Sequence, residues 1–425
     1  VNQRTTSFLA EMFSEYYRSA PFYLPPRFGR REWGFFLFGG KGMVRPVAFR
    51  TRKEARAFLI SRAPRHAYFS SAYYEDPSVP MAEKKWLGAD LVFDLDADHL
   101  PGAEDMSYPE MLAAVKKEFI KLVDEFLLGD MGFDEKDVEI VFSGGRGYHA
   151  HVRDRRVLRL GTHERREIVD YVTGKGIDFR RFLVVERWED RSGPVVRTRE
   201  ALRLPPRDAP GWMGRINRAV RELGRRLSYM EPEEMEKLFL SIEGVGKKTA
   251  RQLIQQLHEP WHGYPTRLDA IIDGYEYSID SWGGGRVASA VTRAFLEMAR
   301  REVAVVSAET DEPVTSDVKR LIRMPGSLHG KTALRVVPMK RSDLDDFNPL
   351  RDAVAFDPEN TELWGGRESG AARGGRKIPE TIKVRVEREI TCPLAGREKR
   401  YTEGEWEVDL ATGMFLLCRG VGEKV

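Results

Sequence analysis

The chain has 425 residues, 41% hydrophobic and 32% charged, with a net charge of +3, a balance that excludes a largely disordered protein. No apolar run reaches the ~18 to 20 residues of a membrane span and the N-terminus lacks a secretory signal pattern, so a membrane role is not expected and a cytoplasmic location is. The two cysteines, Cys392 and Cys418, form no CxxC pair, which excludes a cysteine-rich zinc site, and a reducing compartment disfavours a disulfide between them.

This length predicts one main domain with a sizeable insertion or a second lobe. Residues 7–17 predict an amphipathic helix, ended by Pro21, Pro25 and Pro26. Residues 32–38 and 43–49 predict a hairpin around Gly39, Gly40 and Gly42, and 52–61 a helix. Residues 91–96 predict an apolar strand ending in acids, 109–128 a helix with Pro109 in its first turn, and 138–142 and 148–152 two strands joined by a glycine-rich bend. Strands alternating with helices around a sheet make the fold class α/β or α+β. From 153 to 207 there are 15 Lys/Arg against 9 Asp/Glu, a local net of +6 and nearly all arginine. Such a run suits phosphate contacts and a solvated charged face equally well.

Helices dominate from 210 to 282, over 216–227, 232–240 and 247–257. Residues 242–250 carry the pattern of a helix-hairpin-helix turn or a plain helix-helix turn. A helix over 287–302 follows, then strands over 303–306 and 334–337, a helical run over 318–323, a Gly/Arg-rich loop over 365–375 and a strand-like tail over 381–419. The expected domains are an α/β core in two parts, 1–209 and 286–425, with a helical insertion over 210–285.

The most informative strand reads Leu91-Val92-Phe93-Asp94-Leu95-Asp96. Side chains alternate along a strand, so Asp94 and Asp96 share a face with Cα atoms ~7 Å apart. An apolar strand has no structural use for two carboxylates on one face, and burying them unpaired is costly. Two divalent cations ~3.5 to 4 Å apart would explain the pair, and hard oxygen ligands suit Mg²⁺ or Mn²⁺. A solvated strand end is the plainer explanation, so the pair needs partners. Asp98 continues the alternation but enters the turn.

The next cluster is Ser143-Gly144-Gly145-Arg146-Gly147-Tyr148-His149. Three glycines let the backbone turn sharply and bring N–H groups to an anion. Ser143, Arg146 and His149 add a hydroxyl, a planar cation and a ring nitrogen, a set that suits a triphosphate, although a hairpin alone would also use the glycines. No Gly-Lys-Ser/Thr follows, so this is not a Walker loop. Tyr148, Ala150 and Val152 are expected to face the core, with His149 and His151 on the other side. A third cluster places Asp311 and Asp317 before Arg323-Met324-Pro325-Gly326-Ser327-Leu328-His329-Gly330-Lys331, with three potential phosphate donors in Arg323, His329 and Lys331. Asp311 follows the strand expected at 303–306, whereas Asp317 opens the expected helical run, where an acid favours a helix N-terminus.

In this order the three clusters resemble the archaeo-eukaryotic primase superfamily, specifically the small catalytic subunit of archaeal DNA primase. The resemblance extends over nearly the whole chain, including Arg31-Glu32-Trp33, Met43-Val44-Arg45 and a closing Leu417-Cys418-Arg419-Gly420 strand. It implies a two-part catalytic core with an RRM-like sheet. It also implies that Asp94, Asp96 and Asp311 bind catalytic Mg²⁺ or Mn²⁺, and that Ser143, Arg146, His149, Arg323 and His329 hold nucleotide phosphates with help from Lys331. Glu32 and Arg45 match positions near the family's active site. The zinc-binding knuckle that many members carry after the acidic pair has no cysteine here between residues 99 and 110, so no structural zinc is expected. The implied function is DNA primase: primer synthesis on single-stranded DNA from nucleoside triphosphates, a DNA-directed RNA polymerase activity, in a heterodimer with a large subunit. The basic 153–207 run is then a candidate template track. The alternatives are a stand-alone primase-polymerase or repair polymerase of the same superfamily, a non-catalytic nucleic-acid-binding subunit, and a metal-dependent nuclease.

Overall fold

The Asn2 side chain accepts a hydrogen bond from the Thr5 amide and opens α1 (Gln3–Ser19), whose Leu9, Met12, Phe13, Tyr16 and Tyr17 fall at helical spacing and are buried. The computed structural model describes residues 2–177, 184–190, 197–275, 279–280, 297–298, 308–357 and 378–425. These divide into one unit of Val1–Val169 with Glu309–Val425 and a second of Asp170–Ala308.

In the first unit β1 (Trp33–Phe36) and β2 (Met43–Val47) form the expected antiparallel hairpin. Next come α2 (Arg52–Arg62), β3 (His66–Ser70), β4 (Ala72–Tyr74), β5 (Trp86–Ala89) and β6 (Leu91–Asp96). Ser107 and Glu110 close a capping box on α3 (Tyr108–Lys121), which runs on through a π-helical stretch, Leu122–Asp130. Then β7 (Val138–Phe142) and β8 (Gly147–Val152) flank the glycine bend, and α4 (Thr162–Thr173) follows, its last turn already part of the second unit.

The second unit holds β9 (Val184–Asp190), β10 (Arg197–Arg203), α5 (Gly211–Ser228), α6 (Pro232–Leu240), α7 (Lys247–Leu257), α8 (Arg267–Asp273) and β11 (Ile279–Asp280), the strands in the order β11-β10-β9. The apolar stripe of α5, Trp212, Ile216, Val220, Leu223 and Leu227, is buried, and Gly224 lets α8 come close: a Cβ there would meet Ile271 Cγ2 at 2.8 Å. Gly244, at φ +81°, turns the chain between α6 and α7. The stretch expected to be helical, 210–285, falls within this unit.

The first unit resumes with α9 (Glu312–Ser316), β12 (Leu321–Arg323), β13 (Val337–Met339), α10 (Arg341–Leu344), α11 (Pro349–Asp352), β14 (Thr381–Val386), β15 (Ile390–Cys392), β16 (Lys399–Tyr401), β17 (Gly404–Asp409), α12 (Leu410–Cys418) and β18 (Gly422–Lys424). Two four-stranded antiparallel sheets, β12-β3-β1-β2 and β13-β7-β8-β6, frame the region of interest, and β17-β14-β18 forms a third. With every sheet among the described residues antiparallel, the mixed fold is α+β. Phe93 and Leu95 pair with Ala150 and Tyr148 on the face that α3 covers, where Phe119 stacks on Tyr148 with ring centroids 5.3 Å apart. The opposite face carries Asp94, Asp96, His149 and His151, as alternation predicts. It is not open, however, because His151 stacks on Phe69 of β3 at 5.9 Å, so β8 is buried on both faces.

Three expectations change. Residues 321–323 form a strand, not a helix, because they pair with Ser70, Phe69 and Tyr68 and run into Pro325, which disfavours a helical residue before it. Residues 410–418, including the first two of the expected closing strand, are helical. Asp409 caps them by accepting from the Thr412 amide at 2.9 Å, and a short run apolar on all sides does not distinguish strand from helix by its period. Two arginines of the basic run belong to the core. Arg153 lies 3.3 Å from Asp90 Oδ2 and 2.7 Å from Glu139 Oε2, and Arg165 donates to the backbone carbonyls of Asp90 and Ala89. That removes both from a template track. The helix expected at 287–302 lies outside the described residues except for 297–298, and the strand at 303–306 and the loop at 365–375 lie outside them entirely.

Candidate active site

Alternation on β6 sets Asp94 and Asp96 on one face, and the β6–β8 register puts His149 opposite Asp94 and Gly147 opposite Asp96. The third acid arrives through the backbone. The Asp311 N–H donates to the Asp94 carbonyl at 2.9 Å, and Asp311 stands just before the first residue of α9, which lies against β6. Asp317, its competitor in sequence, closes α9 instead.

The electrostatics follow from this gathering. Asp94, with 23% of its side chain exposed, is pushed up to about 7 by burial, then by the like charges of Asp96 and Asp311, while Arg320 and Arg323 pull the other way. Three carboxylates that repel one another in a partly desolvated place form a donor set suited to a hard divalent cation. Among the described residues, no three His, Cys, Asp or Glu side chains stand tightly enough to cage an ion as they are. His149 Nε2 lies 3.3 Å from Asp94 Oδ1. Burial, with the Arg323 charge, pushes that ring down to about 3, so the contact is between a neutral imidazole and the acid.

The glycine bend holds itself in shape. Ser143 Oγ accepts from the Gly145 and Gly147 amides, both at 3.2 Å, and so keeps only its own O–H to donate. Gly147 must be glycine, because a Cβ there would stand 2.3 Å from the Leu95 carbonyl oxygen. Arg146 turns toward the acids: its Nη2 donates to Asp98, and its Nε lies 3.9 Å from Asp96 Oδ1. The Tyr108 hydroxyl donates to the Gly145 carbonyl at 2.6 Å, with Arg419 over the Tyr108 ring.

The third cluster reaches the bend. The Thr332 hydroxyl donates to the Gly144 carbonyl at 2.6 Å, so at the 3.2 Å contact between them it is His329 Nδ1–H that donates to Thr332 Oγ1. Gly144 and Gly145 make room for His329: a Cβ on either would stand 2.8 Å from its Cβ or 3.2 Å from its Nε2. Burial and the charge of Arg323 hold the His329 pKa well below the ordinary histidine value. Arg323, on β12, lies over the Tyr68 ring and against His66 Nδ1 at 2.7 Å, near enough that Asp94 and Asp96 act on it electrostatically. Lys331 is exposed beside the two histidines. Arg45 pairs instead with buried Glu32 at 2.7 Å, with buried Lys84 3.5 Å from the other Glu32 oxygen.

Asp94, Asp96, Asp311, Arg146 and His149 thus gather at the end of β6 and β8, with Ser143, Arg323, His329 and Lys331 around the adjoining bend. Sequence reasoning missed His66, Tyr68, Tyr108, Thr332 and Arg419. Each is an ordinary residue in its own segment and acquires a role only from a partner far along the chain.

The family model described as DNA primase small subunit matches residues 93–341, a span that holds all three acids, the glycine bend and the Arg323–Lys331 segment. Among curated proteins, the chain is 40% identical to the DNA primase small subunit PriS of Methanothrix thermoacetophila over the whole of both chains. It is 39% identical to that of Methanococcoides burtonii, over 99% of this chain and 98% of the relative. It is 36% identical to that of Halorubrum lacusprofundi, over 100% and 99%. Among the described residues, no helix is long and apolar enough to cross a membrane.

Proposed function

We propose a function from one premise: the chain belongs to the DNA primase small-subunit family. It is the catalytic subunit of a primase, a nucleotidyltransferase that builds short primers on single-stranded DNA from nucleoside triphosphates, working in the cytoplasm with a large subunit. The observation that carries this reading is the convergence of Asp94, Asp96 and Asp311, tied by the Asp311–Asp94 backbone bond and marked by the raised Asp94 pKa.

Asp94, Asp96 and Asp311 would hold Mg²⁺ or Mn²⁺, which when bound supplies charge neutralisation for the triphosphate and activation of the attacking 3′-hydroxyl. The chain's own residues do the rest. The Ser143 O–H, with both lone pairs committed to the bend, is left to donate to a phosphate oxygen. Arg146, held by Asp98 beside Asp96, exchanges that partner for a phosphate. Arg323, on the other sheet, and Lys331, in the turn after His329, steady the departing pyrophosphate. His329 Nε2, with Nδ1–H committed to Thr332, meets a phosphate by taking up a proton, since the anion offsets the burial and the cations that now oppose its charging. His149, neutral against Asp94, orients that acid. Arg45, with Glu32, serves the nucleotide from the edge of the same unit.

The test is synthesis from unprimed single-stranded DNA with labelled nucleotides and Mg²⁺ or Mn²⁺, comparing the wild type with Asp96→Ala, alone and with a candidate large subunit. Products expected from the wild type vanish in the variant. Extension of pre-made primers only would make the chain a polymerase of the same superfamily. DNA binding without any synthesis would make it a non-catalytic subunit.

A further inference from the structure

One buried ring at the centre of the phosphate-facing cluster has no role in the mechanism above. His66 lies on β3, 8% exposed, opposite Phe36 of β1 and next to the Arg323 strand in the same sheet. Its Nδ1 is 2.7 Å from Arg323 Nη1 and 3.3 Å from the Gly330 amide nitrogen. A guanidinium and a peptide N–H are donors only, so Nδ1 accepts from both and the ring proton stands on Nε2. The same ring meets His329 edge to face, 5.1 Å between centroids. Burial, with the charges of Arg323, Arg65 and Lys331, pushes His66 down to about 3, so the ring stays a neutral acceptor under any ordinary condition.

We propose that His66 is a positioning residue for the nucleotide: its Nδ1 ties the Arg323 guanidinium to the Gly330 amide, so that Arg323, His329 and Lys331 meet a nucleoside triphosphate as one preformed surface. The inference rests on the primase reading. Two features favour a histidine here. Arginine is long and mobile, and an acceptor that fixes its fork removes the need to order it when the ligand arrives. A carboxylate would fix it too, but would cancel the positive charge the triphosphate requires and repel the phosphates. A neutral imidazole orients without neutralising.

The experiment titrates a fluorescent nucleoside triphosphate with Mg²⁺ into the full chain and compares wild type, His66→Phe and His66→Asn, with thermal melting as a check on folding. Phe keeps the ring volume and loses the acceptor, whereas the Asn carbonyl reaches the place of Nδ1. We expect His66→Phe to weaken binding about tenfold, the loss of one charge-assisted hydrogen bond, and His66→Asn to stay within about threefold of wild type. Arg323→Ala should cost less in the His66→Phe background than alone, because the two act as a unit. Equal affinity in wild type and His66→Phe overturns the inference, as does a result in which Asn loses more than Phe, which would make the residue a packing element. If His66→Phe does not fold, His66→Gln, whose amide reaches the place of Nε2, replaces it and is expected to behave as Phe does. No nucleotide binding by wild type would defeat the primase reading itself.

Discussion

At the scale of single residues the site is organised by one costly group. Asp94 is an acid whose folded-state pKa, about 7, lies well above its ordinary 3.8. Between those values the folded chain holds a proton that the unfolded chain has released, so stability falls as pH rises from about 4 to about 7. The shift corresponds to roughly 2 kcal/mol after allowing for its partial exposure. In EDTA, Asp94→Asn should therefore raise the melting temperature at pH 8 and flatten its fall between pH 4 and 7, while abolishing synthesis. Mg²⁺ or Mn²⁺ should raise the melting temperature of wild type at pH 8 and leave the variant nearly unmoved. A variant that melts lower than wild type at pH 8 in EDTA would mean that the Asp94 charge is compensated within the chain. Asp94 and Asp96 are legible in the sequence because alternation on an apolar strand sets them together. Asp311 was favoured over Asp317 by its place after an expected strand and by the resemblance, but the backbone bond that sets it beside Asp94, on a strand 217 residues earlier, has no local signal. His66 was not legible at all, because a histidine at a strand start means nothing until Arg323 and Gly330 meet it.

At the scale of elements, the strands that carry the candidate site are the ones the sequence describes best. Residues 91–96 and 138–142 have the expected bounds, because each is a short apolar run closed by turn residues. The bend between β7 and β8 was legible as a turn, but not the reason for each glycine. Gly147 faces the carboxylate strand, and a methyl there would press on the Leu95 carbonyl and on Asp96 Cα, 2.3 and 3.0 Å away. Backbone cannot yield as a side chain can, so Gly147→Ala should destabilise the chain by about 2 to 4 kcal/mol and suppress synthesis by displacing Asp96. Gly42→Ala is the control, since a Cβ there meets nothing within 4 Å and its effect on melting should be within about 0.5 kcal/mol. If the two melt alike, the strand pair is looser than its register implies. Where the element reading failed, at 321–323 and 410–418, the runs were short and their type was set by neighbours: β3 in one case, the Asp409 cap in the other.

At the scale of the whole molecule, the sequence conveyed the class but not the pairing. β12 joins β3 across some 250 residues of chain, and β13 joins β7 across about 200. No local period encodes such register; it emerges only when strands distant in the chain close into one sheet. That closure has a consequence for what the second unit does. Every residue assigned to the acids, the bend and the phosphate cluster lies in the first unit, and the two points where the chain leaves and re-enters it are close, since Arg166 Nε is 2.9 Å from Glu312 Oε1. A short Gly/Ser linker should therefore span the gap left by residues 170–308, and a unit with its own core and near termini is able to fold alone. We expect such a chain to melt cooperatively and to bind Mg²⁺-nucleoside triphosphate within about threefold of the full chain. A cooperatively folded product that has lost nucleotide affinity would place part of the nucleotide site in Asp170–Ala308. Retained affinity with lost synthesis on single-stranded DNA would leave that unit the work of holding template or partner.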